Sequence, residues 1–400
     1  VLNRGNGIRA SFPIRKKRAM KNSNQTAIID WFTHGQICDQ PATDTHWYEF
    51  VQEASATGLA GVALEHAKQS NIDLPPDCIV RLKQSAFHVA THNLNLQSKL
   101  ETILAAFNEV GIDVMLLKGA ALYGQIYDGP NLRPMSDVDL LLKAQDVKAA
   151  TLLLKKVGCV QGMDLVHENH FPTYYYESEY ISFGPNPIRL DVHVRPFRPT
   201  RYAQLIPEDQ FWNNARSVRV GQATAKIPNE ETMLIHLAAH AAFHECSRLI
   251  WLYDLKRWCD TYSQEMDWSL VLTRAKAWHR IAPVQRALSI AESTWGPFLP
   301  KLFREKLAKL KASWKDRLTL WHTPRDANHP LGHLLVDLLT TPGIRFRLGY
   351  ARNLLLPSTS HLAEIYPYRH AGWRGVANLW RGGRLALRSL RSGFRRLAMY

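Results

Sequence analysis

Two aspartates stand at the mouth of a run that is otherwise built for burial. In RPMSDVDLLLK, residues 133–143, Asp137 and Asp139 are separated only by Val138 and followed by three leucines. On an extended chain residues i and i+2 share a face, so the two carboxylates project together while Val138 turns the other way. Like charges this close repel, and they are tolerated when a cation joins them or when one takes up a proton. Oxygen-only ligands of this kind suit Mg²⁺ or Mn²⁺, which are commonly held by one or two carboxylates together with substrate phosphates. The stretch therefore asks for a short strand anchored from behind by its apolar residues and opening at its start on a polar site.

The neighbouring segments supply the rest of such a site. IDVMLLKG, residues 112–119, reads as a short buried strand ending in glycine, and AALYGQIY as one or two helical turns. A third strand, IRLDVHVR, residues 188–195, follows the turn signal GPNP and the aromatic loop FPTYYYESEYISF. Asp191 lies in it, flanked by Leu190 and Val192. If this strand lies beside the first aspartate strand, three acids converge on a site able to hold two ions about 4 Å apart, the clamp used for in-line phosphoryl transfer. A strand running into Gly119 and then a helix offers backbone N–H groups to phosphate oxygens. Lys118 adds a point charge and Arg133 a planar fork. Alternatively, Lys118 caps the strand end and Arg133 pairs with Asp137 or Asp139. An anion cradle next to an acidic strand points to a nucleoside triphosphate.

Elsewhere the chain is mostly helical. Residues 47–110 show three- and four-residue apolar spacing broken at DLPPD, and beyond Pro228 the periodicity is helical throughout, with Asn229 and Asp267 as N-caps. The fold class expected is α+β: a basic tail (1–24), a helical N-terminal region (25–110), an α/β unit with a mixed β-sheet (111–227), an all-helical domain (228–357) and a basic amphipathic tail (358–400). His236, His240 and His244 fall on one helical face. That face either holds Zn²⁺ with a further ligand, packs as ordinary core, or lines an acceptor cleft in which His240 or Asp254 touches substrate. His193 shares the face of Asp191 and either hydrogen-bonds a metal ligand or a phosphate or supports the strand end.

Composition narrows the partners. The +15 net charge sits at the two ends: residues 1–24 carry seven Lys/Arg and residues 369–400 carry eight, with no acid in either. The body is formally neutral, so a long basic groove for nucleic acid is not expected. The C-terminal run LWRGGRLALRSLRSGFRRLAMY has the pattern of a basic amphipathic helix, which lies on an anionic membrane surface, packs on its own body or stays disordered. No apolar run approaches the roughly 20 residues that span a bilayer, and no apolar stretch after the basic start supports a signal peptide. Five scattered cysteines without a CxxC pair fit thiols in a reducing cytoplasm. The location expected is cytoplasmic, with contact at the inner membrane face through the tail.

Taken in order, LKG, RPMSD-x-D, a helix ending in Gly158, the IRLDVHVR strand and HLAAHAAFHECSRLIWLYDLKRW resemble the uncharacterised nucleotidyltransferase family of the polymerase-beta superfamily, over residues 47–357. The resemblance implies a minimal nucleotidyltransferase fold in which Asp137 and Asp139 ligate the metals, while Asp191 ligates one metal and helps deprotonate the acceptor. It has Gly119 open the nucleotide-binding turn, and the nucleotide-binding residues expected are Lys118, Gly119, Ala120, Arg133 and Ser136. The superfamily's usual Gly-Ser pair is here Gly119-Ala120, so backbone N–H groups replace the serine contact. The implied reaction moves a nucleoside monophosphate from an NTP, with Mg²⁺, to an acceptor among small molecules, polysaccharide intermediates or peptides. A D-x-D glycosyltransferase or a catalytically silent nucleotide-binding scaffold are the alternatives.

Overall fold

Residues 26–37, 42–162, 177–197, 206–314, 316–317 and 343–355 are described by a computed structural model. The two basic tails, residues 171–176 of the aromatic loop and Cys38 lie outside the described residues. Four helices come first: α1 (Thr26–His34), α2 (Asp44–Thr57), α3 (Ala60–Gln69) and α4 (Pro76–Glu109). Pro76 sits in the first turn of α4, where a missing N–H costs nothing. Over its 34 residues α4 buries Leu82, Leu96, Leu100, Leu104 and Phe107 at helical spacing.

The α/β unit follows: β1 (Val114–Leu117), α5 (Lys118–Leu122), β2 (Val138–Leu142), α6 (Val147–Lys156), β3 (Cys159–Gln161), β4 (Glu177–Ser182), β5 (Arg189–His193), α7 (Glu208–Trp212), β6 (Arg216–Val220) and β7 (Ala223–Ile227). The seven strands form one mixed sheet in the order β3-β4-β5-β2-β1-β7-β6. The three strands expected from the sequence sit at its centre, with β5 parallel to β2 and β1 antiparallel to it. The apolar runs of β1 and β2, interrupted only by Asp139, match burial of every residue in these two strands. The outer four strands are not marked by any apolar run. In β6, for example, half-buried residues alternate with the exposed Ser217 and Arg219, so the segment reads as polar along its length.

The all-helical part comprises α8 (Glu230–Phe243), α9 (Leu249–Tyr262), α10 (Trp268–Ala277), α11 (Ile281–Trp295), α12 (Lys301–Lys309) and α13 (Ile344–Leu355). Asn229 caps α8 by accepting from the Thr232 N–H, and Asp267 caps α10 through Ser269 and Leu270. The fold is thus a mixed α+β sheet flanked by N-terminal helices and a helical C-terminal region. Among the described residues no helix is long and apolar enough to cross a membrane, and Cys78, Cys159, Cys246 and Cys259 are free, buried thiols.

The N-terminal helices bear on the aspartate strand by gripping the loop that enters it. Asn93, buried on α4, donates from Nδ2 to the carbonyls of Pro130 (2.7 Å) and Arg133 (2.8 Å). Its Oδ1 accepts from the Met135 N–H at 3.2 Å. From α3, Gly61 lies so close that a Cβ there would stand 2.0 Å from the Asn131 carbonyl oxygen. Asn93→Ala leaves three backbone groups, two of them buried, without their side-chain partner. It is expected to cost about 2–4 kcal/mol in urea unfolding and to speed amide exchange across residues 130–135, with little change in the outer strands.

Candidate active site

The parallel pairing of β2 with β5 sets Asp139 opposite Asp191. Paired residues share a face, so these two side chains and, two residues upstream, Asp137 project from the same side of the sheet. They open on a cavity of about 730 Å³. Its other walls come from the end of α2 (Ser55 to Gly58), from α8 (His236, His240, Phe243 and His244), from Arg248 and Trp251, and from Arg280 before α11.

Asp139 is buried and well provided. Its Oδ1 accepts from the Lys118 ammonium and from His193 Nε2 at 2.8 Å. A carboxylate only accepts here, so Nε2 carries the imidazole proton. Burial alone would raise the Asp139 pKa, but the Lys118 charge and the His193 hydrogen bond hold it well below the usual carboxylate range. Asp191 meets the opposite fate. Burial, followed by the charges of Asp139, Glu177 and Asp137, pushes it up to about 7. The Ser136 hydroxyl donates to Asp137 at 3.0 Å.

Lys118 reaches Asp139 from a strained backbone, with φ at +48°, a left-handed conformation uncommon for a long side chain. The next residue must be small for a different reason. A Cβ on Gly119 would lie 2.3 Å from Nη1 of Arg133, so the guanidinium crosses directly over the glycine. Ala120 is buried in the five-residue α5 and does not line the cavity.

Arg133 pairs with neither Asp137 nor Asp139. Its partner is Asp254 of α9, 121 residues away: Nε donates to Oδ1 at 2.9 Å and Nη2 to Oδ2 at 2.8 Å. The Tyr127 hydroxyl donates to the same Oδ1 at 2.7 Å. Burial works against the guanidinium charge, but Asp254 outweighs it and holds the Arg133 pKa above its ordinary value. Asp254 is itself 1% exposed and does not line the cavity. Its oxygens are filled from within the protein, because a buried carboxylate needs its compensating donors close by.

Of the histidines expected on one face, all three line the cavity. His240 packs its ring against His244 and Trp251, both at 4.8 Å between centroids, while His236 lies between Phe197 and Phe211. Among the described residues no group of three or more His, Cys, Asp or Glu is placed to hold a metal ion. The zinc alternative therefore gains no support. Asp137, Asp139 and Asp191 offer the all-oxygen donor set that suits a hard divalent cation, but in this arrangement the Lys118 ammonium is the cation seated on Asp139. Arg280 has no counterpart among the residues singled out from the sequence, since a single arginine between two helices carries no pattern.

A family described as an uncharacterised nucleotidyltransferase matches residues 43–296, well over half of the chain. The chain belongs to that family. The nucleotidyltransferase match begins at Thr43, the N-cap of α2, and ends at Gly296, just past α11. It therefore takes in the helices that grip the loop, the whole sheet and the helix α8 that carries the cavity's histidine wall. Among solved structures, an antigenic nucleotidyltransferase-like protein from Paracoccidioides brasiliensis is similar at 15% identity and a TM-score of 0.31, covering 46% of this chain and 92% of that one. No curated protein matches the chain.

Two outcomes follow from the charges. A carboxyl whose pKa rises from 3.8 to about 7 on folding binds more protons in the native state between those values, so stability falls as pH rises through that window. In metal-free protein, Asp191→Asn is expected to leave stability at pH 4 unchanged and to raise it at pH 8 by about 1–2 kcal/mol, after allowance for partial exposure. Thermal melts in EDTA at the two pH values check this. Arg133→Ala strands a buried carboxylate and is expected to cost about 3–5 kcal/mol. Adding Asp254→Ala is expected to recover part of that loss, read in a double-mutant cycle.

Proposed function

We propose that the protein is a Mg²⁺-dependent nucleotidyltransferase that moves a nucleoside monophosphate from an NTP to a hydroxyl or phosphate of an acceptor, releasing pyrophosphate. The observation that carries this reading is the in-register Asp139–Asp191 pair, with Asp137 on the same face, at the wall of a cavity of nucleotide size. Asp137 and Asp139 would hold the cation with Asp191 as third ligand. When bound, Mg²⁺ neutralises the triphosphate and polarises the phosphorus under attack.

The chain's own residues carry the remaining tasks. Asp191 comes from the other strand and takes the acceptor proton on its carboxylate as the acceptor oxygen bonds to the α-phosphorus and the bond to the departing pyrophosphate breaks. Lys118 neutralises Asp139 in the metal-free protein, and its charge is the one a divalent cation has to replace there. His193 orients Asp139 through its Nε2 hydrogen bond. Gly119 and Ser136 stand at the cavity wall where the nucleotide would lie, and Arg133 is fixed beside them by Asp254. His240, which lines the same cavity, would meet the acceptor. A glycosyltransferase would need a sizeable nucleotide-binding α/β domain before its D-x-D. What precedes Asp137 among the described residues is helical apart from β1.

Incubation with each NTP and Mg²⁺, followed by pyrophosphate release, tests the proposal. Asp139→Asn and Asp191→Asn are each expected to lower turnover by about 100-fold or more. Turnover unchanged in both variants, or cleavage of nucleotide sugars in place of NTPs, would refute it.

A further inference from the structure

The cavity wall built by α8 and the start of α11 holds two polar groups to which the proposed transfer assigns no role. Arg280 is 1% exposed, a fully buried guanidinium at the start of α11, with its Cζ 4.4 Å from the Phe197 ring centroid. His236 is 2% exposed, and among the described residues neither of its ring nitrogens has a hydrogen-bond partner. Both line the same cavity. The imidazole is held neutral, its pKa pushed down to about 3 by burial first and then by the charge of Lys118, with Arg280 acting in the same direction. It therefore presents one N–H donor and one acceptor.

A buried, unsatisfied ring nitrogen is costly, and here it sits beside a planar cation whose donor fork matches the oxygens of a phosphate. Phe197 contacts both groups, with its ring 5.4 Å from that of His236. The aromatic ring thus fixes the pair side by side and keeps the local dielectric low, which strengthens attraction to an anion. The carboxylates of Asp137, Asp139 and Asp191 line the same cavity, so in the absence of metal an oxyanion finds a compensating cation in Arg280.

We propose that Arg280 and His236 form a phosphate-binding subsite on the cavity wall built by α8 and the start of α11. The ligand is a phosphate group of either the donor triphosphate or the acceptor. The proposal deepens the nucleotidyltransferase reading and rests on it for the origin of that phosphate.

Calorimetric titration of the full chain with inorganic pyrophosphate, in EDTA and at fixed ionic strength, tests the subsite without any metal bridge. The wild type is expected to bind. Arg280→Lys keeps the charge but removes the fork and is expected to weaken binding by about tenfold. His236→Phe preserves ring packing with Phe197 and Phe211 and is expected to weaken it severalfold. Circular dichroism confirms that both variants are folded. Unchanged affinity in both folded variants, or no binding by the wild type, overturns the proposal. Competition between pyrophosphate and ATP, lost in Arg280→Lys, supports the donor as the source. Arg280-dependent binding of glycerol phosphate alongside ATP supports the acceptor. If the subsite binds but no NTP yields pyrophosphate, the subsite stands and nucleotidyl transfer falls. If turnover is seen and the two variants bind as the wild type does, the reverse holds.

Discussion

The buried ion pair between Arg133 and Asp254 is the interaction on which the arrangement of the site depends. It joins the loop leading into β2 to α9, and each partner leaves water to form it. Such pairs bring little net stability, because desolvation offsets most of the attraction. What this one supplies is geometry. A bidentate fork has one good orientation, and that orientation sets the guanidinium over Gly119, at a distance no other residue would allow. The Tyr127 hydroxyl completes the carboxylate, and Arg257 stacks on the Tyr127 ring at 4.9 Å while pairing with Glu65 of α3. One charged network therefore connects the N-terminal helices, the aspartate loop and the helical C-terminal region.

With the loop fixed, the acids of the sheet are held apart in character though close in space. Asp139 gains Lys118 and His193 and stays ionised; Asp191 gains mostly burial and like charge and holds a proton close to neutral pH. Under the proposed reading this division would suit a divalent cation: one carboxylate is neutralised by a resident ammonium, and another is left at a cost that the ion would relieve. The left-handed backbone at Lys118 adds to that cost. Strain and repulsion gathered at one point, on central strands that are otherwise mostly buried, are the usual price of function.

Much of this was legible in the residues. The D-x-D spacing required a shared face, the apolar runs of β1 and β2 required burial, and Asp191 between Leu190 and Val192 had the same signature. The caps Asn229 and Asp267 were readable because capping is a local hydrogen bond. The outer strands were not, since β6 and β7 pair to each other and bury only alternate residues, leaving no sustained apolar signal. The placing of Arg133, Asp254 and Arg280 was also hidden. Sequence distance carries no information about which of 35 acids an arginine will meet.

By itself, then, the sequence determined the periodicities: where the three central strands and most of the helices run, which side chains share a face, and that two carboxylates must project together. Those follow from backbone geometry within a few residues. Only the tertiary structure decided that β5 lies beside β2 in the register that sets Asp191 against Asp139, that Arg133 answers to Asp254, and that a histidine and an arginine from the helical region close the cavity. Each of these joins groups far apart along the chain. Their proximity is fixed by packing and by the need to compensate buried charge, which no local pattern records.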